Sequence, residues 1–367
     1  MARARRLRIA GVDIPPGETR DIPLKISETY TGNPISVPVR VIRSTKAGPS
    51  VFVSAAIHGD ELTGTGIIHD LLHGAPIQLT SGTLLLIPVV NVFGFENHDR
   101  YLPDRRDLNR VFPGSASGSL ASRIAHTFMT EIVAHCEYGI DLHSAAQTRT
   151  NFPNVRGDMT DEKVKRIAEA FGCELIVDGK GPEGCMRREA CKVGCATIIL
   201  EAGEPMKAEP AMLEVGVRGI RNVLSELGML AGEKIEPPYQ SIVRKTTWVR
   251  AEVGGFLRFH IKPGDVVEEG HPVASNFSIL GEHQNLLRSP VDGVVLGMAT
   301  SPAVKPGEPV CHIAIPERQI AVLRNKLEAI PDGSLHKRVR DSLATNVTVT
   351  EHADNAEPEK DEYSEIP

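Results

Sequence analysis

Val51-Phe-Val-Ser-Ala-Ala-Ile57 is a nearly unbroken apolar run that stops abruptly at His58-Gly-Asp-Glu61. Such a run, with no polar alternation, is the pattern of a strand buried on both faces in the middle of a sheet. From Glu61 the period changes: Leu62, Ile67, Ile68, Leu71 and Leu72 recur near the helical repeat, with Asp60 available as an N-cap. A buried strand, a short polar loop and a helix thus follow one another, and the polar cluster sits at the strand's end.

The same alternation extends outward. Before it, the short β-type runs IPLKI and VPVRVIRS between Pro and Gly suggest antiparallel strands. After it, TLLLIPVVNV (83–92), YGIDLHS, ELIVDG (174–179) and ATIILEAG (196–203) read as strands. Helices are expected from about Leu120 to His135 and over about 209–230. Strands alternating with helices predict an α/β fold, a mostly parallel mixed sheet flanked by helices, over residues 1–235. In such sheets ligands bind beyond the carboxyl ends of the strands, and three strands here end in HGDE, DLHS and LEAGE. Residues far apart in sequence are therefore expected to converge.

EKIEPPYQ (233–240) has the Pro-rich polar character of a linker, and the helical period disappears after it. Residues 241–318 read as a smaller C-terminal all-β domain whose turns repeat Lys-Pro-Gly at 262–264 and 305–307. The stretch 335–367 is polar and ends in an acidic run containing Glu357, Glu359, Asp361, Glu362 and Glu365, which predicts a disordered tail.

A chain of 367 residues with 41% hydrophobic content can bury one large core and a smaller one. Its formal net charge of -6 argues against nucleic acid as a partner. No stretch approaches the roughly 20 apolar residues that span a bilayer, so no membrane partner is expected. The basic opening MARARRLRIAGVD has no apolar segment behind it, and a cytoplasmic protein is expected. The six cysteines include no CxxC pair, and reduced, partly buried thiols follow. Composition leaves a homo-oligomer open.

His58 and Glu61 are separated by two residues at a strand-to-helix junction, so both side chains can reach one point. Catalytic zinc takes three protein ligands and keeps a position for water, and two histidines with a carboxylate are one solution. Among thirteen histidines, His143 stands out by ending the strand YGIDLHS. Asp141, two residues earlier, points to the same side and offers an acceptor for an imidazole N–H, as would a backbone carbonyl. His69, His73, His126 and His135 lie on helical stretches and read as surface residues. An HxxE pair alone is weak, since a strand-end histidine bonded to a helix-capping carboxylate has the same spacing. Its company matters: Arg100-Tyr101, Asp107-Leu-Asn-Arg110 and Leu200-Glu-Ala-Gly203 accompany it.

With His58-Gly-Asp-Glu61, Asp107-Leu-Asn-Arg110, Asp141-Leu-His143 and Glu201-Ala-Gly203 in this order, the chain resembles the succinylglutamate desuccinylase/aspartoacylase group of zinc hydrolases, relatives of zinc carboxypeptidases. The resemblance covers about residues 45–230. It implies one zinc ion on His58, Glu61 and His143, with Glu201 as general base and Arg100 stabilising the oxyanion. Asn109 and Arg110 would hold a substrate carboxylate or a neighbouring polar group. The stretch between Tyr101 and Asp107 is longer than in the aspartoacylase branch, which makes Arg105 and Arg106 candidates for the place of Arg100.

Guanidinium groups match carboxylates in bidentate geometry, so Arg105, Arg106, Arg110, Arg149 and Arg156 near the proposed site argue for an anionic or zwitterionic substrate, such as a small N-acylated amino acid. Asn151-Phe-Pro-Asn154-Val-Arg156 reads as a pocket-lining loop. The C-terminal segment is similar to the barrel-sandwich hybrid of biotinyl and lipoyl carrier domains through Gly264-Asp-Val-Val-Glu-Glu-Gly270 and Ser289-Pro-Val-Asp-Gly293, without a Met-Lys-Met hairpin tip. It is read as a cap or an assembly surface. The alternatives to a zinc deacylase are a carboxypeptidase-like peptidase and a non-catalytic, zinc-free scaffold.

Overall fold

The structure, a computed structural model, describes residues 7–74, 76–345, 347 and 349. Its frame is a mixed α/β arrangement around a 12-stranded sheet, with a separate 4-stranded sheet in the C-terminal part. The strand Ser50–Ala55 lies between Thr83–Ile87 and Tyr138–His143, parallel to both. Tyr138–His143 is in turn parallel to Ala196–Gly203. The chain leaves Ser50–Ala55 through the helix Leu62–His73 to one neighbour and returns later to the other, so the carboxyl end of this strand is a topological switch point.

Parallel pairing falls in two blocks, the four central strands and the run Arg149–Gly157, Leu175–Asp178, Ser241–Arg250, separated by an antiparallel pair. Thr19–Glu28, Pro34–Arg43 and Thr83–Ile87 pair antiparallel at one flank. Ala196–Gly203 is antiparallel to Arg149–Gly157 at the other. The expected mostly parallel sheet therefore holds only in part. The segment 151–156, expected as a loop, lies in the strand Arg149–Gly157. Of the run 83–92, only Thr83–Ile87 is strand, and Val92–Asn97 is helix, capped by the Asn91 side chain accepting from Gly94 N.

The central strands are buried along their whole length, which is why they lack polar alternation. Helices Leu62–His73 and Pro210–Glu226 cover one face, and Leu120–Glu131 lies on the other. No helix among the described residues is long and apolar enough to cross a membrane.

The sheet does not stop at the linker. Ser241–Arg250 pairs in parallel with Leu175–Asp178, and Gly293–Ala299 pairs antiparallel with Arg149–Gly157, so the C-terminal module is joined to the first domain by backbone hydrogen bonds. Both Lys-Pro-Gly turns close as the sequence suggests: Asp265 N donates to Lys262 O and Glu308 N to Lys305 O, with Gly264 and Gly307 at φ of 86° and 85°. A correction concerns the tail. Residues Leu335–Ala344 form a helix with His336, Val339 and Leu343 buried, tied down by Arg338 to Glu214 at 2.6 Å and by Arg340 to Asp265. The apolar period of three to four in that stretch was masked by its charge. The acidic run at 357–365 lies outside the described residues.

Phe128 is 2% exposed and meets Phe52 and Phe112 edge-on, with ring centres 5.8 and 6.2 Å away. Phe128→Ala is expected to cost about 3–5 kcal/mol, read as a lower urea midpoint at unchanged slope.

Candidate active site

Sheet register brings the polar strand ends together. Leu142 sits level with both Ala55 and Leu200, and His143 is level with Glu201. His58 follows three residues after Ala55, and Glu61 is the residue from which the helix Leu62–His73 departs. Asp60 was the expected cap, but Glu61 holds the cap position, and it makes no side-chain cap bond. Its carboxylate turns to the histidines instead.

Glu61 Oε1 lies 2.7 Å from His58 Nδ1 and Oε2 lies 2.8 Å from His143 Nδ1. Both imidazoles therefore aim the same nitrogen at one place. Each anchors the other nitrogen on a carboxylate: His58 Nε2 donates to Asp107 Oδ1 at 3.1 Å, and His143 Nε2 donates to Asp141 Oδ2 at 2.8 Å. Asp141 also accepts from Ser54 Oγ at 2.8 Å. Ligand atoms of His58, Glu61 and His143 all lie within 4.8 Å of one another, and these three buried residues could hold a metal ion.

Burial works against charge on all of them, yet attraction prevails. The Glu61 carboxyl, pushed up by burial, is held far below the usual carboxylate range by His58 and His143. His143, pulled down by burial, is raised well above its ordinary value by Asp141 and Glu61. The surrounding carboxylates thus favour positive charge at both imidazoles, and a metal held at Nδ1 would take the place of the proton there.

Arg100 bridges the cluster, donating to Glu61 Oε1 at 3.2 Å and to Asp107 Oδ2 at 3.1 Å. Glu201 lies near the end of the strand Ala196–Gly203, its Oε2 accepting from Asn151 Nδ2 at 3.0 Å and its Oε1 3.7 Å from Arg156. Asn151 is pinned from the C-terminal module. A Cβ on Gly297 would lie 2.6 Å from Asn151 Oδ1 and 3.0 Å from Thr150 O.

A cavity of about 360 Å³ collects His58, Glu61, Arg100, His143 and Glu201, together with the expected substrate residues Asn109, Arg110, Arg149 and Arg156. Arg105 and Arg106 are not among its lining residues. Both are exposed, Arg105 at φ 60° in a turn and Arg106 paired with Asp104, so neither takes the place of Arg100. The side-chain oxygen Oδ1 of Asn109 accepts from Met186 N at 2.9 Å, which ties it to the helix Met186–Lys192.

Three lining residues carried no signal in the sequence. Arg187, one of two adjacent arginines, is 6% exposed, and its Nε and Nη1 have no hydrogen-bond partner among the described residues. Trp248 and His312 come from the C-terminal module. Only the uniqueness of the chain's single tryptophan could have drawn attention to one of them.

Fold and site together define a mixed α/β protein with a buried His–Glu–His group at the carboxyl ends of its central strands. Residues 47–227 match the succinylglutamate desuccinylase/aspartoacylase catalytic domain, and through this segment the chain belongs to that family. It is 26% identical over 307 residues to the N-alpha-acetyl-L-2,4-diaminobutyric acid deacetylase of Halomonas elongata, covering 80% of this chain and 89% of that protein. A succinylglutamate desuccinylase from Silicibacter sp. TM1040 shares the fold with a TM-score of 0.72 and 23% identity, over 83% of this chain and 97% of that one. The product-bound ectoine utilization protein EutE (DoeB) from Ruegeria pomeroyi does so with a TM-score of 0.70 and 23% identity, over 80% and 93%.

Gly297→Ala is expected to push Asn151 off Glu201. A drop in kcat of about tenfold, with the unfolding midpoint changed by less than about 1 kcal/mol in stability terms, checks this.

Proposed function

We propose that the protein is a zinc-dependent deacylase that hydrolyses the amide bond of a small N-acylated amino acid. The observation that carries this reading is the pair of imidazoles presenting Nδ1 to one carboxylate, each locked from behind by an aspartate, beside Glu201 in a cavity rich in guanidinium groups. The donor set suits one zinc ion per chain on His58, Glu61 and His143, and the aspartate anchors match the outer contacts that orient metal-binding histidines. Zinc so held supplies a Lewis acid and lowers the pKa of a nearby water.

The chain's own residues divide the remaining work. Glu201 takes a proton from the attacking water and returns it to the nitrogen, so that the amine can leave. Asn151 holds Oε2 of Glu201 in place, and Oε1, which has only the longer 3.7 Å contact with Arg156, takes the proton. Arg100, fixed by two carboxylates, places positive charge where the carbonyl oxygen becomes negative.

Substrate class follows from charge. Among the lining residues, five arginines face two glutamates, Glu61 and Glu201, both already assigned. Nε and Nη1 of the buried Arg187 have no hydrogen-bond partner among the described residues, and a substrate carboxylate would supply an acceptor. The deacetylase relative, named for an N-acetylated amino acid, supports the same class. The cavity's size suits a small molecule better than a peptide chain, which ranks the peptidase reading second. The six free cysteines suit a reducing compartment and hence the cytoplasm.

Zinc-loaded protein is expected to hydrolyse at least one of a panel of N-acetyl and N-succinyl amino acids. Glu201→Ala should lower turnover by about a thousandfold or more while zinc stoichiometry stays at one. Persistent turnover in that variant, or hydrolysis of short peptides alone, would overturn the assignment. Asp141→Asn is expected to weaken zinc binding by about 10–100-fold in competition with a chelator.

A further inference from the structure

We infer that Arg149, stacked on Trp248 and backed by His312, forms an anion subsite of the cavity through which the C-terminal β module selects substrates bearing a carboxylate. The proposal rests on the deacylase reading for its substrate class, but its geometry stands apart from the metal group.

The stack is built from two parts of the chain. Trp248, in the strand Ser241–Arg250, is the register partner of His312 in Pro309–Pro316, and their rings lie parallel with centres 4.1 Å apart and 4° between planes. The guanidinium carbon of Arg149 lies 5.2 Å from the centre of the Trp248 ring. All three residues line the active-site cavity. Backbone pairing sets their spacing, since Gly293–Ala299 is bonded on one side to Arg149–Asn151 and on the other to His312 and Cys311. The arginine is therefore held by a rigid aromatic column, at a cost in side-chain entropy met before any ligand arrives.

Its charge is not spent within the protein. Arg100 is ion-paired to Glu61 and Asp107. Arg149 has no carboxylate within ion-pair distance among the described residues, and a cation–π contact leaves its N–H groups available to a ligand. The backing imidazole adds no opposing charge: burial first, then Arg156 and Arg149, lower the pKa of His312 to about 4, so the ring is neutral at pH 7. A neutral ring can stack under the tryptophan, and the positive field is left to the arginine. A guanidinium placed over an indole face has N–H groups at its edge that no carboxylate of the described residues occupies, and that edge is what receives a ligand carboxylate.

Trp248 is the chain's single tryptophan, so its fluorescence reports on this subsite without any need for turnover. We would titrate zinc-loaded protein with glutarate and with its uncharged diamide. A saturable change with glutarate and none with the diamide is expected, together with a loss of glutarate affinity of about 10–100-fold in Arg149→Ala. By calorimetry, Trp248→Ala should lose affinity to a similar extent, and Trp248→Phe, which keeps a ring under the guanidinium, only a few-fold. With any substrate that is turned over, Arg149→Ala should raise KM and leave kcat within about threefold. Glutarate binding unaffected by Arg149→Ala, equal binding of the diamide, or no saturable signal in the wild type would overturn the subsite. Glutarate binding that needs Arg149 in a protein inactive on every N-acyl compound would retain the subsite and remove the deacylase reading.

Discussion

The carboxylate of Glu61 accepts contact from two imidazoles that arrive on different strands, and the geometry around the switch point follows from that meeting. For both Nδ1 atoms to reach it, Ser50–Ala55 and Tyr138–His143 must be direct neighbours in parallel register. For the imidazoles to keep that orientation, Asp141 must lie beneath one and Asp107 beside the other. Asp107 is brought in by the loop that also carries Arg100, so one buried anion organises two strand ends, a helix start and the following loop. Three buried charges in close contact are destabilising unless matched, and the matching here is complete for each imidazole nitrogen.

The C-terminal module belongs to this arrangement more intimately than a cap does. It continues the central sheet by strand pairing on one side and touches the strand of Asn151 and Arg149 on the other. Through Gly297 it crowds the asparagine that holds Glu201, and through Trp248 and His312 it forms a wall of the cavity. The helix Leu335–Ala344 reinforces the joint: His336 packs on Phe152 of the same strand, and Arg340 reaches Asp265 of the module. The strand Arg149–Gly157 is thus fixed from three directions, which suits a segment that presents Arg149, Asn151 and Arg156 to one cavity.

Charge is unevenly placed across the site. Negative groups lie deep, around the histidines, where they raise the affinity of the group for a cation. Positive groups lie on the walls, several of them without an internal anion. The division sets the group that could hold a metal apart from the cationic walls of the cavity, although the whole chain carries a net charge of -6.

Local pattern determined much of this by itself. Unbroken apolar runs marked the buried strands, and the change of period at Glu61 marked a strand–loop–helix unit. The positions of His58, His143 and Glu201 at strand ends pointed to one site, because strand ends share an edge of the sheet. The strand over 149–157 escaped notice because Pro153 and two asparagines mimic a loop, whereas sheet pairing on both sides overrides local propensity. Choosing among the arginines needed tertiary structure: Arg105 and Arg106 face solvent, while Arg187 is buried, and nothing local distinguishes them. Trp248 and His312 lie more than 40 residues beyond Glu201, and only the register of the shared sheet brings them to its cavity. Sequence period reports which face of an element is buried; which distant elements share that face is decided by packing and strand order.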